Sequence, residues 1–93
     1  MSKVNVDYTV QIWKEGHQYV AHAMPLDVMS AGLTPDDARK ALDEAVHLFL
    51  MTAVDMGTLD DLLQEAGYEQ QERNWVSPTW VAIERRVTEV GVL

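Results

Sequence analysis

Three histidines and fifteen carboxylates give this 93-residue chain its most obvious chemical reach. A metal centre needs several of them together, because zinc takes four donors and di-iron sites take even more. His17, His22 and His47 do not have the spacing of a zinc pair on one helix face or in a ligand loop. Glu44 and His47 make one Glu-x-x-His, a motif that di-iron bundles use twice beside two further carboxylates. Both fall opposite the apolar stripe of their helix, where side chains are solvated. No metal or cofactor is expected.

A metal-dependent nuclease of the ribonuclease H-like kind needs carboxylates that converge on magnesium from the first strand, a helix and a later strand. Asp7, Glu44 and Glu84 occur in those elements. On the helical wheel Glu44 points away from the sheet, so the three do not converge and catalysis is the alternative reading. Ser2, Ser30 and Ser77 have no neighbouring base and no strand-to-helix turn to act from. The glycines form no phosphate-cradling loop. The chain therefore reads as non-enzymatic.

Charge gives the next constraint. Seven basic and fifteen acidic side chains leave a net −8, unevenly spread. Residues 1–33 carry −1, residues 34–72 carry −8 from two positives and ten negatives, and residues 73–93 carry +1. Such a middle repels phosphate backbones, which disfavours direct nucleic-acid binding, and steers in a basic protein. Solubility alone would also account for it. With no cysteine, disulfides and thiolate metal sites are excluded, as fits a reducing cytoplasm. "MSKVNVDYTVQ" shows no leader pattern, and no stretch approaches the roughly 20 apolar residues of a membrane span. A soluble, cytoplasmic single domain, 1–93, is expected.

The elements that must position these groups are legible from periodicity. "VNVDYTVQIW" alternates, with Val4, Val6, Tyr8, Val10 and Ile12 on one face, and predicts a half-buried strand. "KEGH" is a turn around Gly16, "QYVAHAM" a second strand ended by Pro25, and "LDVMSAG" a third closed by Gly32. Short connections make this an antiparallel meander. Thr34, Pro35, Asp36 and Asp37 open a helix with a cap, a proline in the first turn and acids at the positive dipole end. Ala38, Leu42, Ala45, Val46, Phe49, Ala53 and Met56 form its sheet-facing stripe, and Gly57 ends it. "TLDDLLQEAG" restarts a short helix with Thr58 and Asp61 placed for reciprocal capping and Gly67 as its stop. "YEQQERNWVSPTW" is a connector packed through Trp75 and Trp80, which either close a small core or form a peptide groove. From Val81 to Leu93 alternation returns and predicts a fourth strand, with Arg85 and Arg86 as edge protection or as a contact for an acidic group. The fold class is α+β in the order β-β-β-α-α-β.

That order, the hairpin "YTVQIWKEGHQYVA" and the crossing "VMSAGLTPDDARKALDEA" resemble the HicB-like antitoxin family over residues 8–50. "TLDDLLQEAGYE" followed by "WVSP" is similar to a subgroup of it. The resemblance implies a pared-down ribonuclease H-like domain, usually dimeric, that neutralises a small basic RNA-cleaving toxin by steric and electrostatic occlusion. The family often adds a C-terminal DNA-binding module; the residues after Val81 are too few for its two helices, so a short form is expected.

Asp36, Asp37, Asp43, Asp60 and Asp61 are the candidates for steering that toxin. Leu48, Leu50 and Met51 fall outside the core stripe and are the candidates for a homodimer contact, shared with cover from Leu59, Leu62 and Leu63. Pairing through the first or last strand is the other route to a dimer. A solitary regulatory or assembly domain without a toxin is a further alternative.

Overall fold

In the computed structural model, which describes residues 3–93, strong alternation at the N-terminal end becomes an antiparallel meander. A two-residue strand, β1 (Asn5–Val6), precedes β2 (Thr9–Glu15), β3 (Gln18–Met24) and β4 (Val28–Gly32), which pair in the order β2-β3-β4. The register sets Val10 opposite Ala23 and Ala23 opposite Val28, with Ile12, Ala21 and Ser30 forming the next row. Alanines in the central strand leave room for a helix to approach. That helix, α1 (Pro35–Met56), buries Ala38, Leu42, Val46 and Ala53 along one stripe. Leu42 has no exposed surface, and its burial contributes roughly 1.5–3 kcal/mol.

Local signals place α1 where expected. Thr34 Oγ1 accepts from the Asp37 amide at 3.0 Å, and Gly57 takes the left-handed conformation at φ 70° that closes the helix. Gly32 meets a different demand: a Cβ there would lie 2.6 Å from the Ala38 nitrogen, so the end of β4 touches the first turn of α1 through bare backbone. Helix α2 (Leu59–Glu65) sends Leu63 into the same core, with Leu59 and Leu62 packed at its margin.

Several expectations are corrected. Residues 4–13 are not one strand, because the chain leaves β1 at Asp7 and re-enters a different sheet at Thr9. Val4 is exposed rather than part of the inward row. Met56, assigned to the core stripe, is 70% exposed, since α1 outruns the sheet at that end. Thr58 makes no side-chain cap to α2; its hydroxyl reaches back to the Ala53 carbonyl at 3.4 Å. The connector after Gly67 contains a hairpin, β5 (Glu69–Gln71) and β6 (Asn74–Val76), turning on Glu72 at φ 59°. β6 pairs in parallel with β1 and drives Trp75 into the core.

The last strand of the expected order is thus this hairpin, and residues 81–93 form no strand. They are extended and exposed throughout, because no neighbour lies alongside to complete a ladder. The radius of gyration is 16.1 Å, against about 12 Å for a compact chain of this length. Among the described residues no helix is long and apolar enough to cross a membrane.

Candidate partner-binding surface

The carboxylates of the central third collect on the helical layer. Asp36, Asp37, Asp43 and Glu44 on α1, and Asp60, Asp61 and Glu65 on α2, are all exposed. The outward row of the meander runs Thr9, Gln11, Trp13, Glu15, Gln18, Val20, His22, Met24, Met29 and Ala31, with one carboxylate, Glu15, at its end, and Asp27 in the β3–β4 turn bonds to His22 of that row. Acidity is therefore concentrated on the helical layer and sparse on the outward face of the sheet.

The five aspartates singled out from the sequence differ in how they are held. Asp36 is paired with Arg39 one turn along, so its charge is partly neutralised. Asp37 spends its amide on the Thr34 cap and leaves its carboxylate in solvent. Asp43 accepts from the Tyr8 hydroxyl at 2.6 Å, a contact across 35 positions of sequence. Burial, then the hydrogen bond to Asp43 and its negative charge, push the Tyr8 hydroxyl up to about 12. That bond fixes Asp43 in place. Asp60 and Asp61 make no side-chain hydrogen bond or ion pair among the described residues, which leaves both open to a partner.

Past Glu44 the exposed side of α1 changes character. Leu48 is 66% exposed and Met51 is 46% exposed, and Val54 and Met56 join them. Leu50 differs from the expectation for it: it packs against the chain's own core and offers only part of its surface. α2 covers the core margin through Leu59 and Leu62 without reaching Leu48 or Met51 fully. Beside it runs an open apolar groove of about 670 Å³, lined by Val28 of β4, Leu48, Phe49, Thr52 and Met56 of α1, and Leu62 of α2.

The residues considered for chemistry have structural employment or stand apart. Both Asp7 carboxylate oxygens accept from Ser77, while the Asp7 backbone carbonyl accepts from the Tyr68 hydroxyl at 2.6 Å. Glu44 is on the solvent side of α1, and Glu84 lies in the extended tail, 3.9 Å from Arg86. Asp7 thus spends both oxygens within the fold, and the other two do not join it. His22 Nε2 shares a 2.6 Å hydrogen bond with Asp27 and meets the Trp13 ring edge-on, whereas His17 and His47 are exposed. No three His, Asp or Glu side chains of the described residues are grouped to hold a metal ion. Ser30 sits half-buried in β4, and Ser2 lies outside the described residues.

Trp75 and Trp80 part company: the first is core, the second is 43% exposed, with its ring nitrogen donating to Thr9 Oγ1 at 2.7 Å. They form no shared peptide groove. Sequence reasoning missed the Tyr8–Asp43 and Asp7–Ser77 bonds, which join positions far apart in the chain, and the groove, which needs three elements in register. No protein-family model, curated protein or solved structure matches this chain.

Proposed function

We propose that this chain is a non-enzymatic protein-binding domain of the HicB-like antitoxin kind, which neutralises a small basic RNA-cleaving toxin by covering it. The observation that carries the reading is the concentration of acidity on the helical layer: exposed carboxylates line α1 and α2, while the outward row of the meander has only Glu15, at its end. Such a layer speeds encounter with a basic protein and orients it, and the apolar second half of α1 supplies a desolvated contact beside the charge. Asp37, Asp60 and Asp61 do most of the steering, because Asp36 and Asp43 are already engaged within the chain. The protein works in the cytoplasm as a homodimer, and its surface repels rather than holds nucleic acid.

Two measurements test this. A basic protein of roughly 60–80 residues encoded next to this chain's gene, small enough to be a minimal domain, should co-purify with it and be released as salt screens the charges. Asp60→Asn with Asp61→Asn should slow that association. Absence of any such neighbour from genome and pull-down overturns the reading. Magnesium-dependent RNA cleavage by the chain, abolished by Asp7→Asn, would establish the nuclease in its place.

A further inference from the structure

Two features of the molecule are incomplete in the same way. Residues 81–93 are extended without a neighbour and expose Val81, Ile83, Val87, Val90 and Val92, with Val81 at 96% and Val87 at 92%. Among the described residues β4 pairs only with β3, so its outer edge is an unpaired row of backbone donors and acceptors. The apolar groove meets that strand at its first residue, Val28, and runs from there over the second half of α1 to Leu62 of α2. One feature is a strand without a sheet, and the other is a sheet edge and groove without a strand.

We propose that the tail of one copy adds to the β4 edge of a second copy and fills its groove, reciprocally, giving a two-fold dimer with exchanged C-terminal segments. An added strand would satisfy both unpaired backbones and turn the Val81, Ile83 and Val87 face of the tail, which also carries Arg85, toward Leu48, Phe49 and Thr52.

Charge favours the tail over any other contact between copies. Residues 77–93 hold Arg85, Arg86, Glu84 and Glu89 and are neutral, so the whole −8 belongs to the part of the chain before Ser77. Two such bodies repel each other, whereas a segment of zero net charge approaches either without that cost.

The path of the chain favours a second copy over the tail's own body. The root of the tail is pinned to the β2 side of the sheet by Ser77 on Asp7 and Trp80 on Thr9. β2 and β4 are opposite edges, so the tail's own β4 is reached only by crossing the meander. A two-fold partner can present its β4 directly.

The inference shares the homodimer with the antitoxin reading and adds how it is made; capture of a basic partner is independent of it. Light scattering on the full chain should return twice the mass of one chain. Ile83→Asp with Val87→Asp should return a single mass, and Met51→Asp, outside the groove, should leave the pair intact. Because the chain has no cysteine, Val87→Cys in one sample and Leu48→Cys in another, mixed and treated with a bismaleimide, should yield a covalent pair. A single mass for the unaltered chain overturns the proposal. So does a dimer that survives the tail substitutions but fails with Met51→Asp. A Val87→Cys, Leu48→Cys double variant that cross-links only within one chain also overturns it, by showing the tail folded onto its own body.

Discussion

The Asp7 carboxylate accepts two hydrogen bonds from Ser77, from the amide at 2.7 Å and from the hydroxyl at 2.5 Å, across 70 positions of sequence. Bonds to an ionised acceptor are the stronger kind, though solvent weakens these at an exposed site. Asp7→Ala should lower stability by about 1–2 kcal/mol in denaturant unfolding. Ser77→Ala should cost less, because the amide bond remains, and the double variant should fall short of the sum. Additive effects would mean that the two residues do not act together.

Tyr8 and Tyr68 give the fold an alkaline limit. Burial raises both hydroxyls to about 12, helped at Tyr8 by Asp43 and at Tyr68 by the charges of Asp7 and Tyr8. In the unfolded chain a tyrosine ionises near its ordinary value of 10. Their contribution is therefore fully present below about pH 10 and is lost as pH rises toward 12, because the unfolded state gives up its protons first. Tyrosinate absorbance should show Tyr8 and Tyr68 titrating late, and Tyr8→Phe should remove one of these late steps.

Gly32 admits no side chain. Gly32→Ala would force its Cβ against backbone of Asp37 and Ala38, which cannot swing aside as a flexible side chain would. A loss of about 1–3 kcal/mol, the ordinary cost of overpacking, should appear in thermal or denaturant unfolding. Gly16→Ala is the control, for a Cβ there meets nothing within 4 Å and only the positive φ of 63° resists it.

What could be read from the sequence was what neighbouring residues decide between themselves. Thr34, Pro35 and Gly57 set the ends of α1, and Gly16 and Pro25 marked the turns of the meander, because caps and turns act within a few positions. Residues 81–93 show the limit of that logic. Their partial alternation, broken at Arg85 and Glu89, suits a strand, yet a strand is a relation between two segments, and among the described residues none lies alongside them. The β5–β6 hairpin went the other way, since Glu69, Gln70 and Gln71 have little strand preference and pair because β6 is held on β1. At the candidate surface the exposed aspartates followed from sequence, while the engagement of Asp36 and Asp43 did not. The free apolar patch was overdrawn by one residue, Leu50, which a helical wheel cannot separate from Leu48 without knowing where the sheet ends.

The neutrality of the segment after Val76 has a practical corollary. If a protease were to clip the exposed segment, the shortened product would keep the same formal charge as the intact chain. Ion exchange would then separate the two forms poorly, whereas a hydrophobic resin would resolve them better, because what departs includes Val81, Ile83, Val87, Val90, Val92 and Leu93 from the exposed surface.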